Sequence, residues 1–368
     1  MEKITVRSRD KSYDILIETG LFHKLPSVFR SKYQGKKLAL ITDSNVDGLY
    51  GKKFAEMLEN EGFEVVPAVF PAGEQSKTLR TLEFIYNKLA DNFFTRSDVI
   101  VALGGGVTGD MAGLAAATFL RGLGYIQVPT SLLAMVDSSI GGKVAVDMRQ
   151  GKNLVGAFYQ PDAVYTDPGF LETLSYRHYA DGIAELLKHG FIKDAWLYHE
   201  LLSQKENGPK GRIPSGAMEG IIARSCLIKR SVVEEDEFDH GARQLLNFGH
   251  TIGHAIERVQ GYTGLSHGEA ISVGMAVMTE MTEKMGLTGK GVTERVRQAL
   301  TKYGLPVTMP DIDIGDIISA IAVDKKNRSG KITIAYIEEI GAGKLLEMSL
   351  AELGGRICEI LEDRSGTS

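Results

Sequence analysis

The stretch Asp98-Val-Ile-Val-Ala-Leu-Gly-Gly-Gly-Val-Thr-Gly-Asp110 decides the fold of this chain. Its first half is a short, continuous apolar run, the pattern of a strand buried on both faces of a parallel sheet. It passes directly into three glycines, and the helical run Met111-Ala-Gly-Leu-Ala-Ala-Ala follows. Strand, glycine turn and helix in that order suit a nucleotide. Glycines let backbone amides approach a pyrophosphate, and the helix N-terminus favours its negative charge. The spacing is not Gly-x-Gly-x-x-Gly, so a plain tight turn is the competing reading of this motif alone.

The same rhythm occurs upstream. Lys37-Leu-Ala-Leu-Ile-Thr42 is another apolar run, followed by Asp43-Ser-Asn-Val and a helix-like stretch from about residue 52 to 60. Glu64-Val-Val-Pro-Ala-Val-Phe70 then leads into the turn Pro71-Ala-Gly-Glu-Gln-Ser-Lys77 and a further helix. This β-α-β-α order predicts a doubly wound, mainly parallel sheet, in which ligands bind beyond the carboxyl ends of the strands. Asp43, Glu74 and Gly104 all fall at such ends. Asp43 there accepts from ribose hydroxyls and repels a 2′-phosphate, favouring NAD over NADP, or else it caps a helix.

From roughly Thr173 the periodicity becomes helical, over about 178–190, 215–233, 247–259, 267–285, 291–303 and 350–362. The exception is a late pair of strands, Lys331-Ile-Thr-Ile-Ala-Tyr336 and Lys344-Leu-Leu-Glu-Met348. With 368 residues the chain exceeds what one core usually supports. We therefore expect two domains, 1–172 and 173–368, an α/β domain with a parallel sheet followed by a mainly α-helical one. The segments 204–215 and 363–368 read as an exposed loop and a frayed tail.

A hydrophobic share of 43%, a charged share of 24% and a net charge of -5 describe an ordinary globular chain with no bulk attraction to nucleic acid or anionic membrane. No signal-peptide pattern or membrane-spanning apolar run is present. Cys226 and Cys358 stand outside any Cys-x-x-Cys, which implies packed thiols in a reducing cytosol.

The chemistry concentrates in a few blocks. Arg121-Gly, Val128-Pro-Thr-Ser131, Met135-Val-Asp-Ser-Ser-Ile-Gly-Gly-Lys143 and Gly151-Lys-Asn-Leu-Val-Gly156 put lysines into Gly- and Ser-rich loops suited to an anion. In Asp181-Gly-Ile-Ala-Glu-Leu-Leu-Lys-His189, Glu185 and Lys188 share a helical face, as in a surface salt bridge or an active site. Asn247-Phe-Gly-His-Thr-Ile-Gly-His254 sets His250 and His254 one turn apart, with Asn247 as a helix cap. Two imidazoles so placed converge on a metal, divide metal and proton between them, or are ordinary polar residues. His267 follows in Leu-Ser-His-Gly-Glu-Ala. Lys229 and Arg243 bracket the acidic run at 234–239, which reads as solvated, and the Arg243 fork suits a carboxylate. Asp324-Lys325-Lys326-Asn327 reads as a polar loop that closes over an anion, or as a basic surface turn.

Taken together, these blocks resemble the 3-dehydroquinate synthase family, in the same order along nearly the whole chain. The resemblance implies a Rossmann-like NAD domain, a helical metal- and substrate-binding domain, a divalent metal (zinc or cobalt) and a homodimer. It implies conversion of 3-deoxy-D-arabino-heptulosonate 7-phosphate to 3-dehydroquinate and phosphate in the shikimate pathway, by transient oxidation, β-elimination, re-reduction, ring opening and aldol closure. By motif, Glu185, His250 and His267 resemble the metal ligands. His254, Lys188, Lys143 and Asp137 resemble catalytic residues. Lys143, Asn153, Asn247 and Lys325 match the phosphate site, Lys229 and Arg243 the carboxylate clamp, and Arg121 the arginine supplied across the dimer. For NAD the similar positions are Asp43, the turn Ala72, Gly73, Glu74, Gln75, Ser76 and Lys77, the cradle Gly105, Gly106, Val107, Thr108, Gly109 and Asp110, Thr130, Ser131, Lys143, Lys152, and Phe170, Leu171, Glu172 and Thr173. Thr130-Ser131 replaces the family's usual Thr-Thr and Ala72 an acidic or small residue; both keep the needed hydroxyl or backbone groups. The competing activities are another sugar phosphate cyclase of valiolone or inosose type, a metal-dependent polyol dehydrogenase, which would accumulate NADH, and a non-catalytic nucleotide-binding regulator.

Overall fold

The two apolar runs pair side by side in the sheet, where strands without alternation find cover on both faces. The computed structural model describes residues 1–9, 11–204, 211–239, 241–324 and 330–365. It forms two compact units, Met1–Leu174 with Pro214–Phe238, and Ser175–Ile213 with Asp239–Ser368.

In the first unit the strands are β1 (Glu2–Arg7), β2 (Ser12–Ile17), β3 (Leu38–Asp43), β4 (Val65–Phe70), β5 (Val99–Gly104), β6 (Gly124–Pro129), β7 (Lys143–Met148), β8 (Gly151–Phe158) and β9 (Ala163–Thr166). The helices are α1 (Leu25–Tyr33), α2 (Ser44–Val46), α3 (Lys52–Asn60), α4 (Leu79–Asp91) and α5 (Gly106–Thr118). Seven strands make one sheet in the order β1-β2-β9-β6-β5-β3-β4. Only the β1–β2 pair is antiparallel. The chain runs from β3 outward to β4 and returns to β5 on the other side of β3, with Leu38 paired to both Val65 and Val99. That reversal is the switch point of a doubly wound sheet, where a crevice opens beyond the strand ends. Asp43 and Gly104 end the two strands that flank it. Pro67, which has no N–H to give a second neighbour, sits on the edge strand β4.

Helix α5 packs on β5 and β6 and is covered in turn by β7, so it is buried on more than one side. At Gly113 a Cβ would lie 2.4 Å from Val144 Cγ1, so only glycine admits β7 there. The stretches read as Gly- and Ser-rich loops around Lys143 and Lys152 are in fact an antiparallel hairpin of β7 and β8. The glycine pair conceals it: Gly141 and Gly142 take positive φ and turn the chain into β7.

The second unit opens with α6 (Tyr176–Lys193) and α7 (Ala195–Ser203). The chain then returns to the first unit for α8 (Ser215–Glu235), which packs on β1, β2 and the turns at Ala134–Ser138 and Pro168–Glu172. This corrects the expected division at 172/173. Helical periodicity located α8, but a buried stripe of Met218, Ile221, Ile222 and Cys226 does not name its partner. The acidic run at 234–239, which begins in the last turn of α8 and was expected to be solvated, also ties down the N-terminal segment: Glu234 accepts from the Arg7 amide at 2.8 Å and Glu237 from the Arg9 amide at 2.9 Å.

The remainder comprises α9 (His250–Val259), α10 (His267–Lys284), α11 (Val292–Lys302), α12 (Ile314–Asp324), the hairpin β10 (Lys331–Glu339) and β11 (Ala342–Ser349), and α13 (Leu350–Ser365). Helix α6 is central and buried without interruption from Tyr179 to Ile192. It packs against α7, α10 and β11. Two short-sequence signals were missed. Helix α7 starts where Asp194 accepts from the Trp196 and Leu197 amides at 3.0 and 3.2 Å, and α12 is the apolar run after Asp313.

Candidate active site

In the second unit α9 and α10 cross with their backbones nearly touching. A Cβ on Gly274 would lie 2.0 Å from the Gly249 carbonyl oxygen, and one on Gly253 would lie 2.9 Å from Ile271 Cα. This approach brings His250 and His254 of α9 to His267 at the first turn of α10, with ring centroids 5.2 to 5.9 Å apart. The expected cap at Asn247 is corrected. Asn247 ends a 3₁₀ turn (Ala242–Asn247), and α9 begins at His250 after Gly249, which holds φ 80.

Glu185, fully buried on α6, completes the cluster. Its Oε1 is 3.2 Å from His250 Nε2 and 3.3 Å from His267 Nε2. Its Oε2 is 2.5 Å from Lys188 Nζ, a pair buried at 0% and 1% exposure rather than a surface salt bridge. Burial works to raise the Glu185 carboxyl, but the Lys188 ammonium and then His250 outweigh it and hold it well below the usual carboxylate range. Burial, then Lys188, pushes His250 down. Burial also opposes charge on His267, yet Glu185 and Glu257 outweigh it and raise this imidazole to about 10. The outer nitrogens are occupied: His250 Nδ1 is 3.2 Å from the Phe248 carbonyl, and His267 Nδ1 is 3.4 Å from Glu257 Oε2. One carboxylate and two inward imidazole nitrogens, each ring held from behind, fit a divalent cation with open positions. The ligand atoms of Glu185, His250 and His267 all lie within 4.8 Å of one another. His254 is the exposed member, which separates it from the triad. Arg243, on the same 3₁₀ turn as Asn247, is 3% exposed. Lys325 lies outside the described residues.

Sequence reading missed two residues here. Glu257 lies three residues beyond His254, a helical neighbour by spacing. Asp181 sits one turn before Glu185; its Oδ1 accepts from Ser266 Oγ at 2.5 Å and from the Gly268 amide at 2.9 Å, tying down the start of α10 around His267.

In the first unit, Asp43 at the switch point does cap a helix: its Oδ1 accepts from the Asn45 and Val46 amides at 2.9 and 3.1 Å. Its Oδ2 faces Thr108 Oγ1 at 3.5 Å, in the glycine turn. Gly105 precedes α5 in extended conformation, with Gly106 and Val107 opening the helix and Thr108 and Gly109 buried within its first turn. The turn Ala72–Lys77 is braced by Ala72 N donating to Ser44 Oγ at 3.1 Å and Gln75 Nε2 donating to the Ala72 carbonyl at 2.9 Å. Gly73 there has φ 114 and Ser76 is buried. Lys77 is buried between Asp110 Oδ2 and Asn153 Oδ1, both 2.5 Å from Nζ. Burial, against the pull of Lys77, pushes the Asp110 carboxyl up to about 6. Lys152 Nζ lies 3.5 Å from Glu74 Oε1. The Thr130 amide donates to the Gly104 carbonyl at 2.9 Å, and Ser131 Oγ accepts from the Ala134 amide at 3.3 Å. Lys229 reaches Asp137, with Nζ 2.5 Å from its carbonyl and 2.6 Å from Oδ1. Phe170 and Leu171 are buried beside exposed Glu172, and Thr173 Oγ1 meets Tyr50 OH at 2.5 Å. Lys143, Asn153 and Arg121 are exposed, the last two at positive φ.

Residues 67–181 match the N-terminal 3-dehydroquinate synthase profile and residues 182–327 the C-terminal one. The chain is 46% identical over 355 residues to the 3-dehydroquinate synthase of Clostridium kluyveri, covering 96% of this chain and 98% of that protein. This chain belongs to the 3-dehydroquinate synthase family. Among solved structures similar to this family member is 2-epi-5-epi-valiolone synthase from Streptomyces hygroscopicus subsp. jinggangensis with NAD+ and Zn2+ bound. It has 28% identity and a TM-score of 0.87, covering 97% of this chain and 99% of that one. Another is 2-deoxy-scyllo-inosose synthase complexed with carbaglucose-6-phosphate, NAD+ and Co2+, at 27% identity and TM-score 0.85, covering 97% and 100%. The family match and the Glu185, His250, His267 cluster thus coincide in one chain, beside relatives that carry NAD+ with zinc or cobalt.

Proposed function

We propose that the chain works as a 3-dehydroquinate synthase of the shikimate pathway, releasing phosphate from 3-deoxy-D-arabino-heptulosonate 7-phosphate, with NAD recycled on a divalent-metal site. The observation that carries this reading is near-full-length likeness to 3-dehydroquinate synthases, together with a buried carboxylate and two imidazoles aimed at one point. Higher identity to those enzymes than to the valiolone or inosose cyclases favours the heptulosonate substrate.

Glu185, His250 and His267 would hold zinc or cobalt, and NAD would sit over Asp43, the Ala72–Lys77 turn and the glycine cradle. When bound, the metal lowers the pKa of a substrate hydroxyl and NAD takes up and returns the hydride. The chain's own groups do the rest. His254, exposed beside the triad, is assigned to move a proton at that hydroxyl. Lys188 keeps Glu185 ionised and so keeps the ligand competent. Lys143, Asn153, Asn247 and Lys325 are assigned to the phosphate, whose charge they match with fixed donors in place of water. Lys229 and Arg243 are assigned to the carboxylate, with Asp137 orienting the Lys229 ammonium. Arg121, exposed, is assigned to the site of a second copy in a homodimer, in a cytosolic setting that suits two unbridged thiols.

The decisive assay follows phosphate and NADH together in metal-loaded protein with NAD and the heptulosonate phosphate. Phosphate release without NADH accumulation is expected; accumulating NADH would indicate the dehydrogenase, and no turnover would sink the proposal. His250→Ala is expected to abolish metal retention, read by metal analysis after gel filtration.

A further inference from the structure

Glu257 takes no part in the reaction as assigned, yet its place is specific. It lies on α9, 4% exposed, with Oε2 3.4 Å from Nδ1 of His267. The other nitrogen of that ring, Nε2, is 3.3 Å from Glu185 Oε1. A neutral imidazole carries its proton on one nitrogen and a lone pair on the other, and the partner of one settles the state of both. An ionised carboxylate only accepts, so Glu257 holds the proton on Nδ1, and Nε2 is the nitrogen that gives up its proton when a cation takes the point where Glu185 and His250 converge. His250 is treated differently: behind it stands a neutral carbonyl, that of Phe248, two residues back in the chain. Of the two rings, only that of His267 has its outer nitrogen, the one turned away from Glu185, against a charged group from another helix.

We infer that Glu257 is a positioning residue, fixing the tautomer and ring plane of His267 and thereby setting the affinity of the Glu185, His250, His267 triad for its metal. The inference rests on the metal reading proposed above. A rival use of the same atoms exists. His254, Glu257 and His267 also offer ligand atoms within 4.8 Å of one another, which would make Glu257 a ligand of a second ion. Stoichiometry separates the two.

The test titrates Co2+ into the metal-free full-length chain against a competing chelator, reading affinity, ions per chain and the cobalt absorption band. Wild type is expected to bind one ion. Glu257→Gln, which retains an accepting oxygen without the charge, is expected to weaken binding about 10-fold, and Glu257→Ala up to about 100-fold with a shifted band. Melting of the metal-free chain should be nearly unchanged for Glu257→Gln. Wild-type affinity in Glu257→Gln overturns the inference, whether Glu257→Ala folds and binds normally or does not fold at all, because the residue then serves packing alone. Two ions in wild type falling to one in Glu257→Ala overturns it in favour of a second metal. His250→Ala separates the layers: if it binds Co2+ like wild type, the triad itself fails, whereas its loss alongside unaffected Glu257 variants sinks only the inference about Glu257.

Discussion

Single side chains in this protein are governed by what burial leaves around them. Cys226 is enclosed in α8 with Sγ 3.5 Å from the Met135 carbonyl, and burial pushes its thiol up to about 12. The thiolate is the reactive form, so iodoacetamide at neutral pH is expected to spare Cys226 in the folded chain and label it only after denaturation, as peptide mass spectrometry would show. Labelling of native protein at Cys226 would mean that α8 opens readily. Asp110 makes a pH prediction. Its folded value of about 6 stands above the ordinary 3.8, so the stability carried by its protonated form is present below the ordinary value and is lost as pH rises through about 6. Measured against Asp110→Asn without cofactor, the wild-type chain should lose about 2–3 kcal/mol of relative stability between about pH 4 and pH 7. Urea midpoints at the two pH values give the comparison, and a gap that widens in favour of wild type would contradict it.

At the scale of elements, the proposed metal site depends on how closely two helices approach. Gly274→Ala puts a methyl 2.0 Å from the Gly249 carbonyl, a contact that only a shift of backbone relieves. We expect a loss of about 1–3 kcal/mol or more in urea denaturation, with weaker metal binding because His267 moves away from His250. Unchanged metal affinity would show that the crossing of α9 and α10 is not what sets the triad. The elements were unevenly legible in the sequence. Strands β3 and β5 announced themselves as unbroken apolar runs, and helices α6, α8, α10 and α11 by their period. The β7–β8 hairpin did not, because glycines at both its entry and its turn imitate a loop. The start of α9 was misplaced by three residues for a related reason: the residues before it have helix-like composition, and extended Phe248 with left-handed Gly249 stops them joining it.

The whole molecule adds the question of copies. If Arg121 completes the site of a second copy, Arg121→Ala and His250→Ala chains should each be inactive alone, while a mixture allowed to exchange subunits should recover about a quarter of wild-type activity. In random pairing half the dimers are mixed, and each mixed dimer has one site with both residues intact. No recovery, with exchange confirmed by differently tagged chains, would place Arg121 in its own chain's site, and an active Arg121→Ala chain would place it outside.

By itself the sequence determined the alternation of strands and helices, the glycine turn after β5 and the chemical inventory of carboxylate, imidazoles and lysines, because local spacing and residue type express these directly. It also placed Asp43 at a strand end. Only tertiary structure decided that β3 and β5 flank the switch point, that α8 returns to the first unit, and that His250 pairs inward with Glu185 and His267 while His254 remains exposed. Glu185 and His267 are distant in sequence, and their meeting follows from the packing of α6, α9 and α10. Contacts of that kind arise from which faces bury one another, and a stripe of apolar residues states that a face is buried without stating against what.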